Sequence, residues 1–455
     1  MRLIIIGGGI SGLSLAYFLL KKDPKLDLYV LESEEKAGGK IWTERVNGFL
    51  CEGGVNGFLD NRPRTLELAS DLGLTPVRSN DTARKRYIFS DSKLHLLPES
   101  PLSFFLSNLL SVSGRIRIIY EIFAPKGLKE DESLADFARR RLGAEAYEKL
   151  IDPMASGIYA GDPEKMSLKS CFPKIFELER KYGSLIKAMI KLKKEAKKSG
   201  KKIGAGPGGV LTSFLDGMQV LVSSLKDFLG NRLKTNSRVV SIDKKGKMYN
   251  VFLSDNSRFE AEAVVIASPA HSTSEIIKDF NKRLSLILSE IPYPPISVVC
   301  FGYKKERIKS SLDGFGFLVP KREGKKILGT LWDSSVFPNR APEGYVLMRS
   351  MLGGARSPEI AMLDDDRLIS IVMNDIKDIM GLDVFPDFIK IYRHEKGIPQ
   401  YLLGHDKRLE EIDRIVKTYK GLYITGNSYR GIGVNDCIEN SYRLAERIFE
   451  EQLSG

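Results

Sequence analysis

Three glycines, Gly7, Gly9 and Gly12, stand between a short apolar run (residues 3–6) and a stretch of helical character (residues 14–20). Their G-x-G-x-x-G spacing suits phosphate chemistry. The first glycine permits a tight turn, the second lets backbone approach a pyrophosphate, and the third lets a helix pack closely on a strand. The free N–H groups and positive end of that helix then face the phosphates. A second apolar run, residues 26–31, ends in Glu32, twenty residues past Gly12, where a carboxylate accepts hydrogen bonds from an adenosine ribose. The competing reading is a buried strand–turn–helix with no ligand; the acid at this distance favours a bound dinucleotide.

Other chemistry-bearing patterns are missing. Cys51, Cys171, Cys300 and Cys437 are too far apart for a C-x-x-C redox or zinc motif and look unlike a secreted disulfide framework, which points to a reducing, cytoplasmic compartment. His95, His271, His394 and His405 show no metal-ligand spacing, so no metal site is expected. No Ser/His/Asp arrangement stands out, and no catalytic acid or base is assigned. The elements that must hold a dinucleotide belong to a large chain: 455 residues, 42% apolar, enough for two or three domains. A net charge of +12 suits an anionic partner such as anionic lipid or a carboxylate-bearing substrate; no nucleic-acid motif accompanies it. The N-terminal apolar run carries a glycine turn where a signal peptide has its cleavage pattern, and no apolar run is long enough to cross a bilayer.

Along the chain, residues 50–60 form either a glycine-rich turn that lets backbone pass a flat ring or an ordinary loop. A helix over 63–72 precedes Arg84-Lys85-Arg86, a cation cluster that taken alone is a solvated edge before the strand 87–89. Residues 96–123 are apolar with few charges. They read as an interfacial segment dipping into one leaflet or as a core helix roofing a cavity. A charged helix pair over 130–150 leads to a sharp turn at 157–162, and the eight lysines within 187–202 read as a solvated helix and loop. After the glycine-rich residues 204–209 come a hairpin (238–243 and 249–253) and a buried strand (263–269). Residues 285–400 are strand-rich with a helix near 366–380. A last buried strand (421–426) precedes Asn435-Asp436, expected to cap a helix over 437–450.

The second glycine pair, Gly38-Gly39, flanked by Lys36 and Lys40, resembles the extended signature of FAD-binding amine-oxidase-like flavoproteins more than that of NAD dehydrogenases. Nearly the whole chain resembles the protoporphyrinogen oxidase family of haem biosynthesis, with its flavin-type coproporphyrinogen-oxidising sister. The resemblance is carried by GGGISG (7–12), SGIYAG (156–161), SCFP (170–173), LGTLWDSSVFPNRAP (328–342), PQYLLGH (399–405) and GIGVNDCI (431–438). It implies an α/β protein: a Rossmann-like FAD-binding domain from residues 1–83, 206–284 and 413–455, a mixed-sheet substrate domain (285–412), and a helical membrane-associated domain (84–205). By the same resemblance FAD is held by Gly7, Gly8, Gly9, Ile10, Ser11, Gly12, Glu32, Ser33, Lys40 (through backbone or stem), Gly54, Val55, Asn56 and Gly57. Val239 lies on the adenine side, and Asn427, Ile432, Gly433 and Val434 lie by the flavin. The second helix N-terminus would stabilise the anionic reduced ring. Phe337 and Leu318 match positions that sandwich a tetrapyrrole, Gly157 a turn that lines it, and Arg86 a cation that pairs with a substrate propionate. Asn56 follows the plant-like pattern where animal relatives carry arginine.

The activity so implied is the six-electron oxidation of protoporphyrinogen IX to protoporphyrin IX. In each of three rounds a hydride leaves a meso carbon held about 3–3.5 Å from flavin N5. Oxygen is the simplest acceptor, giving hydrogen peroxide; a quinone is the alternative. The departing hydride leaves a cation delocalised into two pyrrole nitrogens, so the reaction demands neither a metal nor a strong base. Implied partners are the porphyrinogen, the inner leaflet of the cell membrane (peripherally, through about 96–123), the next haem-pathway enzyme, ferrochelatase, and a second copy in a homodimer. Rival expectations are coproporphyrinogen III oxidation, an amine or polyamine oxidase, and a non-catalytic flavoprotein.

Overall fold

Short uncharged runs of Leu, Ile and Val supply the middle of a five-stranded parallel sheet in the computed structural model, which describes residues 1–98, 103, 107–198 and 209–453. Its strands lie in the order Leu233–Lys234, Asp27–Leu31, Arg2–Ile6, Ala263–Ile266 and Leu422–Ile424. Leu3, Ile4 and Ile5 are fully buried because both faces are covered, which is why this strand reads as an unbroken apolar run. Leu3, Ile5 and Val265 meet the helices Ile10–Lys22, Gln219–Leu229 and Val434–Ile448. On the other face Ile4, Ile6 and Val264 meet a three-stranded antiparallel sheet (Val239–Lys245, Met248–Leu253, Arg258–Ala261) and the helix His405–Lys417. Strands from three distant parts of the chain thus share one sheet.

A seven-stranded mixed sheet runs in the order Phe388–His394, Ile296–Lys304, Tyr345–Gly353, Ile327–Leu331, Gly316–Leu318, Arg86–Ser90 and Lys93–Leu96. The helix Asp365–Met380 covers one face through Leu368, Val372 and Ile376, packed on Phe89, Phe317 and Met348. Arg86–Ser90, where the sequence reads a strand over 87–89, and Lys93–Leu96 lie inside 84–205, which the resemblance assigns to the helical domain, yet they hydrogen-bond into this sheet, because Arg86–Ser90 pairs in parallel with Gly316–Leu318. The strand has a local pattern; its pairing with a distant partner does not.

Among the described residues, the helical part comprises Val112–Ile119, Leu134–Leu142, Asp152–Tyr159, Pro173–Tyr182, Leu185–Lys198 and short turns between them. Its centre is ionic: fully buried Arg141 lies 3.3 Å from Glu121 and 3.0 Å from Glu179. Glu121 also accepts from the N–H groups of Leu185 (2.8 Å) and Ile186 (3.1 Å), capping the helix Leu185–Lys198. With the polar face turned inward, Val112, Ile116, Ile119, Tyr120 and Phe123 face solvent. Within the apolar segment 96–123, residues 99–102 and 104–106 lie outside the described residues, as do 199–208, which include most of the glycine-rich 204–209 and the end of the lysine-rich stretch. Among the described residues no helix is long and apolar enough to cross a membrane.

Two local expectations change. The turn expected at 157–162 begins only at Ala160, which takes the left-handed conformation (φ 47°) and ends the helix Asp152–Tyr159. The last helix starts at Val434, with Gly433 as its N-cap and no side-chain cap bond. Asn435 instead accepts from the Thr65 hydroxyl (2.6 Å) and donates to the Leu59 carbonyl (2.8 Å), tying this helix to Pro63–Asp71 and to the segment before it.

Candidate active site

Close main-chain approaches build the first half of the site. A Cβ on Gly12 would strike the Gly7 carbonyl oxygen, and one on Gly7 (φ +112°) would lie 3.0 Å from the backbone of Ala267 and Ser268. Gly9, between them, meets nothing within 4 Å, so its outer side is open. The Gly38 N–H donates to the Gly8 carbonyl at 2.8 Å and brings the second glycine pair over the first. Glu32, 8% exposed, accepts from the N–H of Gly8 (2.7 Å) and of Glu34 (2.9 Å), and from the Ser33 hydroxyl (3.1 Å). Val239 packs with Leu31 on the adjoining core. The two helices that start here, Ile10–Lys22 and Val434–Ile448, both have glycine N-caps without side-chain cap bonds. Their first-turn N–H groups, from Ile10 and Ser11 and from Val434, are kept for an anionic or carbonyl ligand.

A second loop closes over this floor. Gly54 sits against the Lys40 carbonyl, and a Cβ on Gly57 would lie 2.6 Å from the Thr212 carbonyl. Val55 packs on the core behind, while the buried Asn56 Nδ2 finds no protein partner among the described residues. Lys40 Nζ donates to the Lys396 carbonyl (2.5 Å), and burial lowers its pKa. His394 Nε2 donates to the Gly53 carbonyl (2.7 Å); burial, then the charge of Lys40, pulls its pKa down. Arg349 donates to the carbonyls of Glu52 (2.6 Å) and Gly54 (3.2 Å). Across the floor, the Asn427 carbonyl accepts from the Tyr401 hydroxyl (2.5 Å), and Ile432 packs on the cluster holding Tyr401 and Tyr159. The Tyr401 ring stacks at 4.2 Å on His405, whose Nε2 lies 3.1 Å from the Tyr429 carbonyl and whose pKa burial pulls down to about 4. Backbone clefts that admit no side chain, two uncapped helix ends, a buried acid at the end of the second strand and an orphaned buried amide together fit a dinucleotide carrying a flat polar ring.

The other half of the site rests on the seven-stranded sheet. Register puts Arg86 beside Gly316, Gly316 beside Leu331, Leu331 beside Arg349, and Arg349 beside Cys300, so these residues share one face. Leu318, two residues past Gly316, lies on the same face, and Gly157 packs under it: a Cβ there would be 2.6 Å from Leu318 Cδ2. The exposed Arg86 guanidinium lies over the Phe315 ring at 5.2 Å. Phe337 is 2% exposed and backs this surface, packed with Ala83, Val336 and Phe315, with the Arg340 guanidinium 5.0 Å from its ring. Phe315 is thus the ring next to Arg86, and Phe337 supports it. Sequence reasoning did not single out Arg349, His394, Tyr401, His405 or Phe315. Only Tyr401 and His405 carried a signal, as members of PQYLLGH.

The chain belongs to the flavin containing amine oxidoreductase family, whose model matches residues 10–449. It is a flavin-dependent oxidoreductase, and its cofactor is FAD. Among its relatives is a chloroplastic protoporphyrinogen oxidase of Oryza sativa subsp. japonica, 33% identical over 470 residues (98% of this chain, 87% of the relative). The coproporphyrinogen III oxidase of Bacillus subtilis (strain 168) is 30% identical over 453 residues, covering 96% of each chain. A crystal structure of a provisionally named protoporphyrinogen oxidase from Exiguobacterium sp. 255-15 superposes with a TM-score of 0.84 at 26% identity, covering 99% of both chains.

Proposed function

We propose that this flavoprotein oxidises a porphyrinogen to the porphyrin, with protoporphyrinogen IX as substrate and oxygen as terminal acceptor. The observation that carries this reading is the sheet face that Arg86 and Leu318 share, with Gly157 packed against Leu318: a cation beside an apolar surface. Bound FAD supplies two-electron oxidation, so aromatising the macrocycle takes three rounds. In this scheme Arg86 pairs with a propionate by a charge-assisted bond and fixes how the ring enters. Leu318, seated against the bare backbone of Gly157, gives the macrocycle an apolar surface and excludes water. The free N–H groups at the start of Val434–Ile448 place partial positive charge where the cofactor ring gains electrons, and the Arg349, His394 and Tyr401 bonds keep the two loops beside that ring rigid.

Coproporphyrinogen III is the second reading, favoured by the Bacillus subtilis relative that matches over 96% of both chains. Supplying both porphyrinogens to the purified protein in air, and following porphyrin fluorescence with peroxide release, separates the two. The first reading expects a higher kcat/KM for protoporphyrinogen IX; no porphyrin from either sinks both. The exposed apolar face of Val112, Ile116, Ile119, Tyr120 and Phe123 supports peripheral attachment to the anionic inner leaflet of the cell membrane. There the adjoining Leu185–Lys198, which the sequence reads as solvated, would meet headgroups through Lys187, Lys191, Lys193 and Lys194.

A further inference from the structure

We infer that Arg349 is the positioning residue that sets the distance between the cofactor loop and the propionate anchor. Its backbone belongs to the rigid sheet, in the same lateral row as Arg86. Three strand spacings separate the two arginines, roughly 14 Å. Its guanidinium leaves that row and grips the cofactor loop at the carbonyls of Glu52 and Gly54. The remaining arm, Nη2, donates to Asp333 Oδ1 at 3.2 Å. Asp333 opens the short helix Asp333–Val336, which leads into Phe337 and so to the ring beneath Arg86. One side chain therefore joins the loop, the sheet and the wall behind the anchor.

Stability alone does not account for this pair. Arg349 is 3% and Asp333 4% exposed, yet Arg349 Nε and Asp333 Oδ2 have no hydrogen-bond partner among the described residues. A buried, incompletely bonded ion pair is often no better than an apolar replacement. What such a pair does provide is fixed geometry, because a planar guanidinium holds three acceptors at set angles. The inference rests on the proposed function only for the identity of the ligand at Arg86.

The test uses the full-length flavoprotein. Arg349→Met alone leaves Asp333 as an unpaired buried charge and invites misfolding. The double variant Arg349→Met/Asp333→Asn removes both charges at similar volume. Amide hydrogen exchange is read with and without FAD over residues 53–57 and 333–340. In the wild type FAD should slow exchange in both segments; in the double variant, only in 53–57. The variant should also bind FAD on the order of tenfold more weakly, and bind protoporphyrin IX, used as a fluorescent probe, more weakly than the wild type. Should it fail to fold, Arg349→Lys, a point charge in place of a fork, is read the same way and should lose protection in 333–340. Equal coupling in wild type and variant, or no protection of 333–340 in the wild type, overturns the inference. A wild type that shows the coupling but binds no porphyrin keeps this role for Arg349 and sinks the porphyrinogen reading instead.

Discussion

The glycine-lined half and the sheet-borne half of this site are held together by different means. Around Gly7, Gly12, Gly38 and Gly54 main chain packs on main chain, and the contacts tolerate no side chain. Around Arg86 and Leu318 the geometry comes from strand register and from side chains that bridge distant segments, such as Arg349 to Gly54 and Arg340 to Phe214. A site built from backbone fails all at once when a Cβ is added. One built from side chains loses its contacts one at a time, so the two halves should respond differently to substitution.

The largest effect should come from Gly12→Ala, whose Cβ has no space against Gly7 and Ile5. The purified variant should carry no flavin, read as visible absorbance per chain; a yellow Gly12→Ala protein would break the contrast. Next is Arg86→Ala, expected to lower kcat/KM for the porphyrinogen by about tenfold to a hundredfold through a lost charge-assisted bond. Its flavin content should match the wild type, and loss of flavin would mean that the halves are not separable.

His405 sharpens the comparison, because it supports the cofactor side with a side chain. Its folded pKa of about 4 lies below the ordinary 6.5, so it is held neutral by burial. As pH falls below 6.5 the unfolded chain takes up this proton first, and stability drops until the folded pKa near 4 is passed. Between pH 7 and pH 5 this group alone should cost about 2 kcal/mol. Urea unfolding of His405→Gln at both pH values should show correspondingly less loss. An identical loss in variant and wild type would remove His405 from the acid response. The smallest effect on folding belongs to Phe123→Glu, on the exposed face of the helical part: about 0.5 kcal/mol or less. The same change should abolish co-sedimentation with anionic vesicles, and undiminished binding would remove this face from the membrane proposal.

The contrast also explains what the sequence could tell. The cradle was legible because its constraints are local: Gly7 to Glu32 spans one strand–helix–strand unit, and each residue type answers to one contact. Asn435 and Asp436 misled as caps, since the cap position is Gly433 and the Asn435 amide reaches across to Thr65 and Leu59. Arg86 became a candidate through family resemblance, not through its neighbours; its place beside Gly316 depends on a strand more than two hundred residues away. Arg349 had no signal at all, because its three acceptors come from Glu52, Gly54 and Asp333, which only the folded sheet gathers. The apolar 96–123 segment left open whether its greasy face turns in or out. Burial of Glu121 against Arg141 decides that for Val112–Ile119 and its neighbours, whose apolar side chains face solvent.

The central claim, that a porphyrinogen held on the sheet face gives up its electrons to the flavin, is tested most directly by anaerobic titration of the purified yellow protein. Successive additions of protoporphyrinogen IX should bleach the flavin absorbance while porphyrin fluorescence rises, with three flavins reduced for each porphyrin formed. A flavin spectrum unchanged by protoporphyrinogen IX and by coproporphyrinogen III, yet bleached by an amine, would contradict it.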